Sequence, residues 1–422
     1  MQDIDAAIRE RAQDGVHLLI DLVRSPSTIG REAGAQEVLA LALGEAGFAV
    51  ERLELPLDIA DDPLAGVQQM PYEGRYDLVA RRRGTPAAGG RRSLLLNGYI
   101  DVVPVEDAGR WSVPPFAGVV KDGWMIGRGA GDMKCGFVAG LLAIEALDAV
   151  RPGWLTGDLT LVSVIEAEAT GNGTLAASRA GVLADAALLL VPTDLEVVLG
   201  GIGMVWVDVV VHGLAGRAGA ADPATNPILL APLVIDALAD LEDAMNAMHA
   251  ADPDPAFAAI DRPYTVNVGR FESGLWPSSA PEAGRLCVRV GHPGQWSSDE
   301  AVERIGAAVR TATSGHPWLG DNPPEVKAAG FRAERYAQDP AAPIVAALAA
   351  AHRDAHGEPA ALTTIASTTD ARYYVNRFGV PAAAYGPRVR NIHGVDEAVE
   401  LESVLASAST IARLLLTWFD AT

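Results

Sequence analysis

The side chains with the clearest chemical potential in this 422-residue chain are polar groups at the ends of predicted strands and in glycine-rich loops. They are Tyr99 and Asp101 after one apolar run, Glu168 after another, Asp132 in a Gly-Asp-Met-Lys sequence and His393 in an Asn-Ile-His-Gly sequence. Carboxylates and imidazoles are ordinary ligands of divalent metals, and they are also the usual acids and bases of hydrolytic enzymes. The sequence therefore indicates a metal-binding or catalytic site where the ends of several strands meet.

Each of these residues also has a purely structural interpretation. Asp132 can cap the helix that follows its glycine-rich loop, because aspartate is a good N-cap residue. Glu168 can be a solvated or paired carboxylate, and His393 can be a structural histidine. Tyr99 can form a hydrogen-bonded acid–base pair with Asp101, or it can be a buried tyrosine that a carboxylate satisfies. The residues alone leave these alternatives open.

The elements that must position these groups alternate between helices and short apolar strands. Helical periodicity covers residues 4–23, about 32–46, 133–150 and 342–356, and a terminal helix begins near residue 401. Apolar runs over 93–100, 159–165 and 186–191, with a shorter one at 382–385, are typical of strands covered by helices on both faces. This alternation predicts an α/β layer sandwich.

The order of predicted helices and strands changes between about residues 200 and 327. Strands are predicted over 205–211, 264–271, 285–290 and 325–329, with helices over 227–250 and 298–313. The resulting order, β-α-β-β-α-β, is that of a ferredoxin-like module. We interpret it as an inserted lid or dimerisation domain over 200–332, between the two parts of a discontinuous catalytic-type domain over 1–199 and 333–422.

Composition excludes several classes of function. With 49% apolar residues the chain can bury at least two cores. The 54 acidic and 33 basic residues give a net charge of −21, which repels phosphate backbones and argues against a nucleic-acid partner. No apolar run reaches the ~20 residues of a membrane span, and the N-terminal segment lacks the pattern of a secretory signal. Two cysteines are too few for a disulfide framework, so we expect a cytoplasmic protein without a membrane partner.

The stretch from Leu94 to Gly136, LLLNGYIDVVP…GRGAGDMKCG, together with the later motifs, resembles the M20 family of zinc amidohydrolases and peptidases. That family includes acetylornithine deacetylase, succinyl-diaminopimelate desuccinylase and aminoacylase. The resemblance covers almost the whole chain. It implies a three-layer α/β metallopeptidase-like catalytic domain with an inserted lid, a homodimer, and a site for two zinc ions that share one carboxylate.

By this resemblance, three residues form the ligand set of one metal ion. Asp132 matches the carboxylate that the two ions share, while Glu168 and His393 match the terminal ligands of one of them. Asp101 matches the aspartate that orients a metal-binding histidine of the other ion. The implied set of two carboxylates and one imidazole would hold a single divalent metal, with zinc as the expected ion, or no metal at all.

Four other M20 positions carry replacements. Tyr99 and Val191 stand where the family has the histidine and the carboxylate that bind the second ion. Ala167 stands at the catalytic base, and Arg217 at the lid histidine that acts on the neighbouring subunit's substrate. Loss of a general base alone costs about 10²–10⁴ in rate. The resemblance thus implies that ordinary two-metal amide hydrolysis is lost.

Arginines at or near the expected cleft suit a small anionic ligand, because a guanidinium pairs with carboxylates. The candidate ligand contacts are Arg217, Arg372 and Arg388, together with Asn226 and Asn267 at lid positions that contact substrate in the family.

Three functional hypotheses follow. The first is a repurposed enzyme that acts on a small amide, amino-acid or carboxylate ligand, with Tyr99, Asp101 and Glu168 as catalytic candidates. The second is a catalytically inactive dimeric binding protein, and the third is a weak N-acyl-amino-acid hydrolase with a single zinc ion. We take the repurposed enzyme as the working prediction.

Overall fold

The computed structural model describes residues 2–85 and 92–420. Its helices are α1 (Gln2–Glu10), α2 (Ala12–Arg24), α3 (Ala33–Glu45), α4 (Cys135–Val150), α5 (Asn172–Arg179), α6 (Pro227–Ala251), α7 (Ser298–Thr313), α8 (Pro317–Asp321), α9 (Pro343–His356), α10 (Ala371–Tyr373) and α11 (Leu401–Asp420). In these two ranges, none of the helices combines the length and the hydropathy that a membrane crossing requires.

The strands are β1 (Ala49–Glu54), β2 (Tyr76–Arg82), β3 (Ser93–Tyr99), β4 (Val119–Lys121), β5 (Trp124–Ile126), β6 (Asp158–Val164), β7 (Ala187–Leu189), β8 (Val197–Gly201), β9 (Gly203–His212), β10 (Gly216–Arg217), β11 (Val266–Ser273), β12 (Ser279–Ala280), β13 (Ala283–His292), β14 (Glu325–Ala333), β15 (Tyr336–Ala337), β16 (Leu362–Ile365), β17 (Ala382–Ala384), β18 (Val389–Arg390) and β19 (Ala398–Glu400).

A mixed nine-stranded sheet forms the centre of the larger part of the molecule. Its order is β1-β2-β6-β3-β7-β17-β8-β15, with β16 also paired to β8. The strands β6, β3, β7 and β17 run parallel to one another, whereas β2 is antiparallel to both β1 and β6, and β17 is antiparallel to β8. Because parallel strands end at the same edge of a sheet, the residues that follow β3, β6 and β7 come together there.

Two neighbouring residues on β3 show that helices cover both faces of this sheet. The Asn97 amide donates a hydrogen bond to Thr174 Oγ1 on α5, at 3.2 Å. A side chain at Gly98 would instead collide with Phe137 on α4. Successive strand residues point to opposite faces, so α5 and α4 lie on opposite sides of the sheet. The predicted three-layer α/β fold is confirmed.

A second, antiparallel sheet has the order β11-β13-β9-β14 and packs against α6 and α7. Its elements follow one another as β-α-β-β-α-β, the order predicted from the sequence, and it encloses a hydrophobic core of its own. Helix α7 begins where the sequence predicts, because Ser297 and Glu300 form a capping box. We call this part the lid; its limits at residues 200 and 332 stay a prediction.

The structure departs from the sequence prediction in three places. The single helix predicted over 4–23 is interrupted at Arg11, which separates α1 from α2. The helix predicted from residue 133 begins at Cys135, because Asp132 and Met133 have non-helical backbone angles. A small antiparallel sheet, β18-β19-β5-β4, was not predicted, and its β18–β19 connection carries His393.

Candidate metal and ligand site

Three side chains from distant parts of the chain form a metal-ligand cluster at the sheet edge. Asp132, Glu168 and His393 each present one ligand atom within 4.8 Å of the others. His393 Nε2 lies 3.2 Å from Glu168 Oε1 and 3.4 Å from Asp132 Oδ2. No other group of three or more His, Cys, Asp or Glu side chains within residues 2–85 and 92–420 has this spacing.

The donor set fits a divalent metal ion. Two carboxylates and one imidazole are common zinc ligands, and three protein ligands leave a position for water or a bound ligand. Burial and the nearby charge of Asp132 raise the pKa of Glu168. Partial desolvation lowers the pKa of His393. Its hydrogen bonds to Asp132 and Glu168 outweigh this effect and raise the pKa to about 11. The two carboxylates thus strongly favour a cation between them.

The other carboxylate oxygen of Asp132 accepts a hydrogen bond from Tyr99. The Tyr99 hydroxyl, at the end of β3, donates this hydrogen bond to Asp132 Oδ1. Burial raises the pKa of Tyr99 well above its ordinary value, and the charges of Asp132 and Glu168 raise it further. The phenol therefore stays protonated and acts as a donor to this carboxylate.

Asp101 supports the Glu168 loop. Its buried carboxylate accepts hydrogen bonds from the backbone N–H groups of Ala167, at 3.2 Å, and Glu168, at 2.9 Å. Burial and the nearby charge of Glu168 raise the pKa of Asp101. The Tyr99–Asp101 hydrogen bond considered from the sequence is wrong, because Tyr99 turns to Asp132 instead.

A buried ion pair that the sequence did not reveal holds two of the ligand loops together. Glu397 Oε1 accepts hydrogen bonds from the backbone N–H groups of Gly129, Gly131 and Asp132, at 2.9–3.1 Å. The other oxygen of Glu397 pairs with Arg128, which also donates to the His393 carbonyl at 3.2 Å. The only local signal is that Glu397 lies four residues after His393.

The cluster opens into a cleft of about 690 Å³ between the large sheet and the lid. This volume is typical of small-molecule sites. Ala167 and Val191 line it beside the metal-ligand cluster. Among the other lining residues are Val103, Pro192, Thr193, Asp194, Glu196, Val198, Met204, Trp206, Arg289, Phe331, Thr363, Ile365, Ser367, Thr368, Thr369, Asp370, Arg372 and Ile392.

Arg289 is the cleft cation that the sequence analysis missed. It lies on β13 and donates a hydrogen bond to Thr265 Oγ1 at 3.0 Å. Burial lowers the pKa of its guanidinium, and no carboxylate of the described residues forms an ion pair with it. A guanidinium without a counter-charge in a small-molecule cleft suits an anionic ligand. Nothing in the sequence distinguishes Arg289 from the other arginines, because whether an arginine has a carboxylate partner depends on the fold.

Of the predicted arginine contacts, only Arg372 lines the cleft. It is buried, pairs with Asp370 at 3.0 Å and donates to the backbone carbonyls of Thr369 and Thr170. Arg388 is exposed instead and faces Glu400 at 3.6 Å. A ligand contact by either arginine stays a prediction, and Arg372 already has protein partners.

Comparison with known proteins identifies the family. Residues 95–417 match the sequence profile of Peptidase family M20/M25/M40. The chain belongs to this family. It is 26% identical over 437 residues to N-formyl-4-amino-5-aminomethyl-2-methylpyrimidine deformylase of Bacillus subtilis, covering 97% of this chain and 96% of that protein. It is 28% identical over 420 residues to succinyl-diaminopimelate desuccinylase of Phenylobacterium zucineum, covering 97% and 99%.

Solved structures of M20 proteins share the fold. The di-peptidase Dug1p of Saccharomyces cerevisiae matches with a TM-score of 0.81 at 13% identity, over 100% of this chain and 98% of that one. Human carnosine dipeptidase 1 matches with a TM-score of 0.76 at 14% identity, over 99% of both chains. The YXEP protein of Bacillus subtilis, described as a dinuclear metal binding peptidase, matches with a TM-score of 0.60 at 13% identity, over 98% and 100%.

Three lid residues that the M20 resemblance assigned to ligand contact do not line the cleft of this single chain. Arg217 lies on the short strand β10 and is exposed. Asn226 caps α6, where its side chain accepts a hydrogen bond from the Ile228 N–H at 3.0 Å. Asn267 lies on β11 and is also exposed. Their roles as ligand contacts stay predictions.

Proposed function

We propose that this M20 protein binds one divalent metal ion through Asp132, Glu168 and His393, with zinc as the expected ion. We further propose that it acts on a small amide or amino-acid ligand that carries a carboxylate, by chemistry other than two-metal hydrolysis. The observation that carries the proposal is the hydrogen bond from Tyr99 to Asp132 Oδ1 beside the three-ligand cluster. One oxygen of the Asp132 carboxylate therefore accepts a hydrogen bond from the Tyr99 phenol.

Each side chain has a role in this proposal. A bound divalent metal would polarise a ligand oxygen as a Lewis acid. Arg289, which has no carboxylate partner among the described residues, would pair with the ligand carboxylate and orient it in the cleft. The protonated Tyr99 hydroxyl would act as a hydrogen-bond donor next to the metal-ligand cluster. Asp101 would keep Glu168 in place through its two backbone hydrogen bonds.

A second candidate is a binding protein without turnover. The observation that favours it is Ala167, whose side chain lines the cleft beside Glu168 and has no group that can accept a proton. A base in hydrolysis must lie within hydrogen-bond reach of the attacking water. The two candidates share the metal and the ligand, so turnover alone separates them.

The proposal also includes a homodimer in the cytoplasm. Helix α6 of the lid exposes Ile228, Leu229 and Leu233, with 42%, 57% and 39% of their surface accessible. Apolar side chains grouped on one helix face support a protein interface. Both cysteines are free thiols, which is typical of proteins in a reducing compartment.

The experiment is metal analysis of protein purified without chelator, followed by calorimetric titration with small carboxylates. We expect one metal per chain in the wild type, and a loss of that metal in Asp132→Asn and His393→Ala. The control is His212→Ala, which removes an exposed lid histidine that contacts Glu325. N-formyl, N-acetyl and N-succinyl amino acids then test for turnover. Two metals per chain with fast amide cleavage would contradict the proposal.

A further inference from the structure

We propose that Trp206 and Phe331 form a recognition platform for an aromatic group of the ligand. The ligand class is then an aromatic carboxylate, such as an amino acid with an aromatic acyl group. This inference rests on the proposed function, because Arg289 holds the carboxylate end of the same ligand. It goes further by proposing that the aromatic end of the ligand packs against these two lid residues.

The platform is an apolar cluster of its own. Met204 and Phe331 are buried together with Ala333, and Trp206 packs against them, apart from the large cores of both sheets. The ring centroids of Trp206 and Phe331 are 5.4 Å apart with their planes at 64°. Met204, Trp206 and Phe331 all line the cleft. Aromatic rings on a cleft wall offer a large apolar contact area with defined stacking geometry.

A β-bulge in the lid creates this arrangement. The pairing of β14 with β9 slips between Ala329 and Arg332, and Gly330 has a left-handed φ of 57°. A side chain at Gly330 would lie 2.4 Å from Cε3 of Trp206, so the glycine makes room for the indole ring. The bulge also tethers the lid, because the Gly330 carbonyl accepts a hydrogen bond from the Val67 N–H at 2.7 Å.

The position of Arg289 links the platform to a carboxylate. Arg289 on β13 lies directly opposite Trp206 on β9 in the antiparallel register. Directly opposite residues project their side chains to the same face, with Cβ atoms about 5 Å apart. The lid therefore presents a cation and an aromatic wall side by side. A ligand that matches both carries its carboxylate a few bonds from an aromatic ring.

Two residues that line the cleft carry polar groups without a hydrogen-bond partner among the described residues, which supports a ligand with acceptor oxygens. Trp206 Nε1 and Thr368 Oγ1 are buried and have no hydrogen-bond partner among the described residues. Buried donors of this kind are uncommon and call for a partner. Both are groups that can donate to an acceptor oxygen, such as an acyl carbonyl or a carboxylate. An N-acyl amino acid supplies both kinds of oxygen.

The experiment compares N-benzoylglycine with N-acetylglycine on the metal-loaded, full-length protein by calorimetry. The two probes share their carboxylate and amide and differ in a phenyl or a methyl group. We expect N-benzoylglycine to bind at least about tenfold more tightly, as stacking and burial of a ring predict. Trp206→Leu and Phe331→Leu, which keep the wall apolar, should each reduce this preference to about threefold or less. Trp206→Leu should also weaken both probes, because the indole N–H is lost as a donor.

Two controls separate this inference from the proposed function. Trp276→Ala removes a lid tryptophan that is 70% exposed, and it should leave both affinities unchanged. Arg289→Gln should weaken both probes by a similar factor. Equal affinity of the two probes in the wild type, or a preference that survives Trp206→Leu, would overturn the platform while leaving the carboxylate site intact. If neither probe binds, the platform and the proposed ligand class both fail.

Discussion

The hydroxyl of Tyr99 donates to Oδ1 of Asp132, while Oδ2 of the same carboxylate lies 3.4 Å from Nε2 of His393. The two oxygens of one side chain are thus divided between a protonated phenol and a metal-ligand cluster. A second cation on the Oδ1 side would have to displace a partly buried hydrogen-bond donor, the Tyr99 hydroxyl. This geometry is the physical basis for proposing one metal ion.

Restoring the two missing family ligands and the base should restore the second metal site. We expect the combined variant Tyr99→His, Ala167→Glu and Val191→Glu to bind two metal ions per chain, and to hydrolyse N-acyl amino acids that the wild type leaves intact. Metal analysis and product detection measure the two effects. Tyr99→Phe removes the hydroxyl without adding a ligand, so it should keep one metal. A folded triple variant with one metal would show that these positions are misassigned.

Weakening the Glu397 support should lower metal affinity. In Glu397→Gln the buried Arg128 loses its charged partner, and the Asp132 and His393 loops lose their common anchor. We expect metal affinity to fall about 10–100-fold, as for other residues that orient metal ligands. The matched control is Asp254→Asn, which breaks an ion pair with Arg335 in which the Asp254 carboxylate is largely buried. An equal loss of metal affinity in the control would refute the positioning role.

Two glycines one turn apart on α4 should respond differently to alanine. A side chain at Gly136 would lie 1.7 Å from the Leu190 carbonyl oxygen, whereas one at Gly140 would lie 3.3 Å from the Leu190 side chain. We expect Gly136→Ala to lower the free energy of unfolding by about 3 kcal/mol or more through overpacking. Gly140→Ala should change it by less than about 1 kcal/mol, because helix propensity offsets the contact. Urea denaturation measures both, and similar values would contradict the packing described.

The buried imidazole of His292 should make stability depend on pH. Burial lowers the pKa of His292, so the folded protein keeps the ring neutral at a pH where the unfolded chain binds a proton. Its contribution is complete above the unfolded pKa of about 6.5 and is lost as the pH falls towards the folded pKa. The stability difference between wild type and His292→Gln should therefore shrink between about pH 8 and pH 5. A constant difference would contradict it.

Charges on the exposed face of α6 should disrupt the proposed dimer. Leu229→Glu with Leu233→Glu places two carboxylates on the apolar face of this helix, so we expect a monomer by light scattering after size exclusion. Leu41→Glu changes a residue that is 71% exposed on α3, and it should leave the dimer intact. A wild-type monomer, or a dimer that tolerates both glutamates, would refute this interface.

The parts of the fold that depend on local signals could be predicted. The apolar runs located β3 and β6 to within a residue or two, and the capping box located α7. Strands of two or three residues, such as β18 and β19, carry too little local pattern to be recognised. Their pairing is a tertiary event, although it places the His393 loop.

The site could be predicted only where a sequence motif carries it. The motifs indicated Asp132, Glu168 and His393, and the structure brings these three together. The roles of Arg289 and Glu397 could not be predicted. The role of Arg289 depends on having no carboxylate partner among the described residues, and that of Glu397 on accepting hydrogen bonds from several backbone N–H groups. The same is true of Tyr99, whose partner depends on how the Asp132 loop turns.

The bulge at Gly330 gives two properties of the protein a common origin. Its carbonyl anchors the lid to Val67, and its missing side chain creates the space for the Trp206 ring. Selection or engineering that alters residue 330 would therefore change the attachment of the lid at Val67 and, through the proposed platform, the choice of ligand together. Variants that separate these two traits must be sought elsewhere in the lid.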